Sequence, residues 1–230
     1  MTRKEISEAY KAFLKQYKDK YRKYQVDIIK EDFWYYLGET EAPDIIMQIY
    51  SELGIVGDKG DFYDLHIKKI LENFNIGCHI TDVASGFFPS FANKLAQEQL
   101  KINKGTITLY EPLLVVDKPK FPNMTLKKEC FTLNTDITST DLVTSIFPCE
   151  ITLPIIEHAC RNQKDFYIAM CGCSHLKMGF HIVPPLVFQD HVMLETQKLL
   201  KEYDNGELVV DYLGDEYEFN FPILYNRKNK

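Results

Sequence analysis

The sequence lacks several features that would assign it to a specialised class of protein. Its 230 residues contain no hydrophobic run near the roughly 18 uninterrupted apolar residues of a membrane span, so we expect no membrane insertion. The polar start Met1-Thr2-Arg3-Lys4-Glu5 does not resemble a signal peptide. There is also no low-complexity tract and no internal repeat. We therefore expect a soluble, cytoplasmic, globular protein.

The six cysteines lack the spacing of a disulfide framework and lie mostly in apolar, strand-like surroundings, which predicts reduced thiols. One stretch, Cys171-Gly172-Cys173-Ser174-His175, contains zinc-ligand residue types. Its spacing differs from that of paired C-x-x-C knuckles, and no second pair lies nearby. The simpler interpretation is an apolar strand end that runs into a glycine turn, so we predict no metal site.

Charge gives limited information about partners. The formal net charge of -6 argues against a large nucleic-acid footprint, and no basic residue occurs from 202 to 219. The region 11–23 is the exception, because it has six basic residues and one acid, Asp19. Apolar and aromatic residues recur there at helical spacing: Tyr10, Leu14, Tyr17, Tyr21, Tyr24 and Ile28. This helix either contacts a nucleic-acid backbone or, as is more common, packs one face on a core and exposes a basic side.

We divide the chain into a helical N-terminal arm at 1–75 and an α/β domain at 76–230. In the arm, Asp61 is predicted to cap a last helix that includes Leu65 and Lys69. In the domain, short apolar runs alternate with helical patterns, which is typical of a parallel sheet. The predicted strands are 78–82, 106–111, 130–134, 141–146 and 166–171, and the predicted helices are 89–102, 151–162 and 186–203.

The C-terminal region has a different pattern. Residues 207–213 and 216–221 alternate between apolar and polar side chains, and Gly214-Asp215 lies between them. This pattern predicts an antiparallel hairpin that closes one edge of the sheet. The expected architecture is a Rossmann-like, mostly parallel seven-stranded sheet with a C-terminal antiparallel hairpin.

The stretch from Cys78 to Glu111 has the composition of a nucleotide site. A predicted strand ends in Asp82 and small residues, a helix follows, and a second predicted strand ends in Glu111. Small residues let the backbone approach a ligand closely, and the start of a helix offers free N–H groups. A carboxylate after the second strand can accept both hydroxyls of a ribose. A dinucleotide-binding dehydrogenase fits less well, because no G-x-G-x-x-G motif follows the first strand.

From Gly77 onward, the order of elements resembles class I S-adenosylmethionine-dependent methyltransferases, whose first strand leads into a D-x-G-x-G-x-G loop. Asp82 and Gly86 stand where that family has its acid and middle glycine, while Ala84 and Phe88 replace the outer glycines. Glu111 occupies the position of the ribose-binding acid. The terminal hairpin also matches the family.

The resemblance implies S-adenosyl-L-methionine as cofactor. Its methionine end would lie on the loop after the first strand, and its ribose on Glu111. Its adenine would lie beside Asp136 and Thr135, after the predicted third strand. The motif Ser145-Ile146-Phe147-Pro148-Cys149-Glu150 would lie beside the methyl group. The implied cofactor-binding residues are Asp82, Ala84, Ser85, Gly86, Phe87, Glu111, Thr135, Asp136 and Ser145.

Phe147 and Pro148 would wall the methyl-transfer site, although a proline after a strand is also an ordinary turn former. If the acceptor holds its proton at neutral pH, a base is needed, and Glu150, His175 and His181 are candidates that could equally be structural. Cys149 is either a nucleophile or a passive thiol.

The methyl acceptor, whether a small molecule, an RNA or a protein, has no readable signature. Two further hypotheses stay open at this point. One is a non-catalytic module that keeps the fold for binding or assembly, because two glycines are replaced. The other is RNA methylation guided by the basic helix at 11–23.

Overall fold

The computed structural model of the chain describes Glu8 and residues 60–86, 89–114, 116–172, 176–214 and 221–228. The chain forms two compact units, Met1–Lys59 and Gly60–Lys230. Within the first unit only Glu8, in a helix, is described. The predicted basic helix at 10–28 therefore lies outside the described residues. The helix predicted to be capped by Asp61 is present in the second unit, but it begins at Gly60, so Asp61 lies within its first turn and is not its cap.

The second unit is built on a seven-stranded sheet in the order β3-β2-β1-β4-β5-β9-β8. Neighbouring strands among the first five are parallel, whereas β9 is antiparallel to both β5 and β8. The predicted Rossmann-like sheet with a C-terminal antiparallel hairpin is confirmed. The strands are β1 His79–Val83, β2 Thr106–Tyr110, β3 Met124–Lys127, β4 Leu142–Ile146, β5 Asp165–Ala169, β8 Glu207–Asp211 and β9 Ile223–Arg227.

In the described part of this unit, four helices flank the sheet. The last three of them were predicted at 89–102, 151–162 and 186–203, and each begins and ends within one residue of those bounds. A short 3-10 helix, Cys149–Ile151, leads directly into the third of the four helices. Two short strands, β6 Lys177–Met178 and β7 His181–Ile182, form a separate small hairpin before the fourth. The helices are α1 Gly60–Asn73, α2 Ser90–Lys101, α3 Thr152–Arg161 and α4 Pro185–Glu202.

The core lies on both faces of the sheet, because successive side chains of a strand point to opposite sides. In β5, Tyr167 and Ala169 pack in the cluster that contains α1 and α2 residues. Phe166 and Ile168 pack in the second cluster, with α3 and α4 residues. Strands buried on both faces are rich in apolar residues, which is why the central parallel strands were recognisable in the sequence.

The prediction of the third strand at 130–134 is wrong. The strand is Met124–Lys127, which pairs with β2 alone and forms the edge of the sheet. An edge strand needs few apolar residues, and only Met124 of this strand is fully buried. By contrast, Cys130 is exposed and Leu133 is 40% exposed. The apolar residues of 130–134 therefore misled the prediction.

The second strand of the terminal hairpin was also predicted too early, at 216–221 rather than Ile223–Arg227. Asp211 pairs with Ile223, so the connection is longer than the predicted two-residue turn. β9 lies between β5 and β8, and an interior strand favours apolar side chains on both faces. Ile223, Leu224 and Tyr225 supply them. The predicted segment alternates with acids; its residues 216–220 lie outside the described ranges.

Candidate functional site

The carboxyl ends of β1, β2, β4 and β5 meet at one edge of the sheet, because these strands are parallel neighbours. The chain leaves β1 through Ala84, whose amide donates to the Tyr110 carbonyl of β2 at 3.0 Å. Ala84 has φ 56° and Gly86 has φ 72°, so both adopt the left-handed conformation. Ala84 thus keeps a backbone shape that glycine adopts easily, at a cost of about 1–2 kcal/mol.

Glu111 joins the turns after β1 and β2. Its Oε2 accepts a hydrogen bond from the Gly86 amide at 3.0 Å, and its Oε1 accepts one from the Leu113 amide at 2.9 Å. The carboxylate is largely buried, at 7% exposure. Among the described residues, no heavy atom lies within 4 Å of a Cβ built on Gly86. The predicted convergence of Gly86 with Glu111 is therefore a feature of the structure.

Asp82 lies near the end of β1, close to Ser85 and Glu111. Its Oδ1 accepts a hydrogen bond from the Thr144 hydroxyl of β4 at 2.8 Å, and its Oδ2 accepts one from the Ser85 hydroxyl. Burial raises the pKa of Asp82 to about 7, and the nearby Glu111 charge adds to this, against the lowering effect of the two hydroxyls. Asp82 therefore titrates near neutral pH. The role of Thr144 was missed in the sequence, where it has the pattern of an ordinary strand residue.

Ser145 follows Thr144 in β4 and is fully buried. Its hydroxyl donates to the Val83 carbonyl at 2.6 Å, which joins the ends of β4 and β1. The predicted cofactor residue is thus engaged with the backbone of the sheet.

An aromatic wall made of Phe62, Phe147 and Phe221 stands at the end of β4. The ring centroid of Phe147 lies 5.2 Å from that of Phe62 in α1 and 6.0 Å from that of Phe221, just before β9. Phe147 has φ 63° and Cys149 has φ 51°, conformations that are rare for bulky residues and that cluster at functional sites. The Phe147 amide donates to the Ala169 carbonyl at 2.8 Å, which anchors the turn to β5.

The predicted residues near Phe147 differ in accessibility. Pro148 is buried beside the wall, whereas Glu150 is exposed in the 3-10 helix. Phe62 and Phe221 were not predicted, because nothing in their local sequence links them to Phe147. His181, a candidate base, is exposed in the small β6–β7 hairpin. Phe87 and His175 lie outside the described residues.

Thr135 and Asp136 lie on the loop between β3 and β4. Burial raises the pKa of Tyr110 at the end of β2, and the charges of Glu129 and Asp136 add to this, so the Asp136 carboxylate acts on the end of that strand. The Thr135 carbonyl accepts from His158 in the second half of α3, at 2.7 Å. The Asp136 carboxylate accepts from the backbone and hydroxyl of Thr138, whose own carbonyl accepts from Lys164 at 2.7 Å. Lys164 immediately precedes β5, at the amino edge of the sheet. Their assignment to the adenine depended on a third strand at 130–134, whereas the third strand of the structure is Met124–Lys127.

A buried histidine lies one helical turn below the aromatic wall. His66 Nδ1 shares a 2.7 Å hydrogen bond with the Tyr167 hydroxyl, and its Nε2 is buried without a hydrogen-bond partner. Burial lowers the pKa of His66 to about 3, with a further contribution from the charge of Lys69. The ring is therefore neutral in the folded protein. Sequence reasoning missed this pair because its members are 101 positions apart.

Within the described ranges, no three His, Cys, Asp or Glu side chains are grouped so that they could hold a metal ion. None of the helices in those ranges is both long and apolar enough to cross a membrane.

No family model matches this sequence, and no curated protein matches it. Solved structures do match. The CMeT domain of the citrinin polyketide synthase is 10% identical with a TM-score of 0.51, over 82% of this chain and 58% of that one. The carbon methyltransferase DszA is 14% identical with a TM-score of 0.47, over 80% of this chain and 58% of that one. A SAM dependent methyltransferase from Aquifex aeolicus is 14% identical with a TM-score of 0.45, over 76% and 96%.

This chain thus spans just over half the length of the polyketide synthase domain. The identity is low, so the similarity concerns the fold. The second unit has the Rossmann-like fold of class I S-adenosylmethionine-dependent methyltransferases, with the strand order and the antiparallel C-terminal pair described above.

Proposed function

We propose that this protein is an S-adenosylmethionine-dependent methyltransferase. The observation that carries the proposal is the convergence of Asp82, Gly86 and Glu111 at the carboxyl edge of the sheet, joined by the 3.0 Å bond from the Gly86 amide to Glu111. Ligands of open α/β sheets bind in the crevice outside this edge. The fold and the placement of two acids there both favour an adenosyl cofactor.

Glu111 is suited to bind a ribose. Each carboxylate oxygen has two acceptor positions, and each uses one of them for a backbone amide. One position on each oxygen is left for the two ribose hydroxyls. The amides of Gly86 and Leu113 hold the carboxylate in one orientation before the ligand binds, which reduces the entropy cost of binding.

The turn after β1 would hold the methionine end of the cofactor. The space that the described residues leave beside Gly86 admits a ligand close to the backbone. The sulfonium and ammonium groups of the cofactor are cationic, and Asp82 and Glu111 supply negative charge nearby. A cation bound there would favour the ionised form of Asp82, whose pKa of about 7 makes it sensitive to such a neighbour.

The corrected position of β3 moves the expected adenine contact. The residues directly after β3 are Lys128 and Glu129, so Glu129 takes the place that the sequence analysis assigned to Asp136. Tyr110, at the end of β2, packs its ring 5.7 Å from that of Phe131 in the same loop. We assign the adenine to this loop, with Glu129 as acceptor for its amine.

The aromatic wall would border the transferred methyl group. Methyl transfer from a sulfonium is an in-line displacement, so much of the catalysis can come from holding donor and acceptor in reach. Phe147, with Pro148 behind it, provides an apolar surface at the end of β4 for this purpose. Glu150 is exposed on the following 3-10 helix and stays a candidate base for an acceptor that must lose a proton.

The test is isothermal titration with S-adenosylmethionine. Wild-type protein is expected to bind, and Glu111→Ala is expected to weaken binding at least tenfold. Glu202→Gln is the matched control, because it removes one carboxylate charge at the exposed end of α4, away from these contacts, and should leave the affinity unchanged. Absence of binding by folded wild-type protein, or equal affinities for wild type and Glu111→Ala, would contradict the proposal.

A non-catalytic binding module is the second candidate. It is favoured by the two amide contacts of Glu111, which give this acid a structural role even without a ligand. Transfer of a labelled methyl group to pools of small molecules, RNA or proteins separates the two candidates. Turnover that is lost in Glu111→Ala supports the enzyme, whereas cofactor binding without turnover on any pool supports the module.

A further inference from the structure

Two cysteine thiols meet at the end of the aromatic wall. Cys149 follows the turn after β4, and Cys171 follows β5; their sulfur atoms lie 3.3 Å apart. The two residues are 22 positions apart in the sequence, and they meet because β4 and β5 are parallel neighbours whose carboxyl ends lie side by side. No disulfide joins any two of the described cysteines.

The two sulfur atoms are close enough for a disulfide to form after a small movement. A disulfide has a sulfur–sulfur distance of about 2.05 Å, so the two sulfur atoms would need to approach by only about 1.3 Å. Cys149 is half-buried and Cys171 is 4% exposed. An oxidant can thus reach Cys149 from solvent, while Cys171 is held behind it.

The other described thiols lack this arrangement. Cys78 is half-buried and Cys160 is buried, and burial raises the pKa of both thiols to about 11. Cys130 is exposed on the loop after β3. Among the described cysteines, Cys149 and Cys171 are the pair whose sulfur atoms are in contact.

We infer that Cys149 and Cys171 are a redox modification site, which forms a reversible disulfide when the protein meets hydrogen peroxide. The Cys149 thiolate attacks one peroxide oxygen; the O–O bond breaks, and the leaving oxygen departs as water after protonation. The Cys149 sulfenic acid then reacts with the Cys171 thiol, which forms the S–S bond, and the thiol proton leaves with the hydroxyl group as a second water. The two thiols lose two electrons and two protons, and the peroxide is reduced to two waters.

The disulfide would change the aromatic wall. The Cys149 thiol now lies 3.5 Å from the Phe147 carbonyl, to which it is a weak donor. Drawing its sulfur towards Cys171 removes this contact and ties the Phe147–Cys149 turn to the segment after β5. The inference rests on the two sulfur atoms alone and does not depend on methyl transfer.

The experiment treats reduced full-length protein with hydrogen peroxide, blocks the remaining thiols, and maps disulfide-linked peptides by mass spectrometry under non-reducing conditions. Oxidised wild type is expected to yield a peptide that joins Cys149 to Cys171 and has lost two hydrogen atoms, and dithiothreitol should remove it. Cys149→Ser and Cys171→Ser are each expected to lose this linkage completely. Cys130→Ser is the control and should keep it at the wild-type level.

Circular dichroism of the reduced variants checks that each is folded, and Cys171→Ala replaces Cys171→Ser if the serine is not tolerated. The inference is overturned if Cys149 pairs with Cys173 instead. It is also overturned if Cys149 proceeds to sulfinic acid without a linkage, or if peroxide leaves the folded wild-type protein without a Cys149–Cys171 linkage. The readout is a covalent bond, so a failed methyltransferase assay does not affect it.

Discussion

The ring of Phe221 occupies the place where a side chain on Gly172 would stand. A Cβ on Gly172 would lie 2.1 Å from the ring, closer than atoms can pack. Phe221 precedes β9 and Gly172 follows β5, so this contact holds the end of the terminal hairpin beside the aromatic wall. Glycine is needed at 172 because of close approach, as no left-handed φ is involved.

Gly172→Ala is therefore expected to destabilise the protein by about 1–3 kcal/mol, because the added methyl group forces the ring of Phe221 to move. Urea unfolding followed by circular dichroism measures the change. Combining it with Phe221→Ala should remove most of the extra cost, since the clashing ring is then absent. Additive effects of the two substitutions would show that the ring is not the cause.

Glu111→Ala is expected to lower the free energy of unfolding by about 1–3 kcal/mol without any ligand, because two backbone amides lose their acceptor. Glu111→Gln should cost less, since its amide oxygen can still accept from one of them. Thermal unfolding measures both. Glu202→Gln, at the exposed end of α4, is the control and should be neutral. A Glu111→Ala protein as stable as wild type would rule out the bridging role of this carboxylate.

Asp82 should make stability depend on pH. Its folded pKa of about 7 lies above the ordinary value of 3.8, so the folded state holds the proton more tightly. This contribution is fully present below about pH 3.8 and is lost as the pH rises through 7. Asp82→Asn cannot titrate and is expected to remove this loss. Urea unfolding measured from pH 4 to pH 8 tests it; an unchanged slope in the variant would contradict the burial of the charge.

His66 should act in the opposite direction. Its folded pKa of about 3 lies below the ordinary value of 6.5, so the unfolded state takes up the proton first. Its contribution is present above pH 6.5 and is lost as the pH falls towards 3, by an amount on the order of 5 kcal/mol. His66→Gln is expected to remove this loss in the free energy of unfolding at low pH, measured in the same urea series.

The effects of Asp82 and His66 overlap between pH 3.8 and 6.5 with opposite signs. Each single variant should therefore show the pH effect of the other residue alone. Asp82→Asn should lose stability more steeply in acid than wild type, and His66→Gln should gain stability in acid. The double variant should vary least. If both single variants reproduce the wild-type dependence of stability on pH, the pKa of neither group is shifted in the folded state.

The central part of the sheet and three of its helices follow from the amino-acid sequence alone. β1, β4 and β5 are buried on both faces and β2 on one, so all four contain apolar residues that are visible in the sequence, and the helices between them have amphipathic patterns. Parallel strands bring their carboxyl ends together, and for this reason the order of residues along the chain is enough to place Asp82, Gly86 and Glu111 at one edge.

The remaining features depend on tertiary packing. β3 lies at an edge and needs few apolar residues, so a more apolar but exposed segment was chosen instead, and Thr135 and Asp136 were assigned with it. The aromatic wall, the bond from Thr144 to Asp82, and the contacts of His66 with Tyr167 and of Cys149 with Cys171 each join residues far apart in the chain. Local patterns carry information about near neighbours and about which face is buried, whereas these contacts depend on which elements pack side by side.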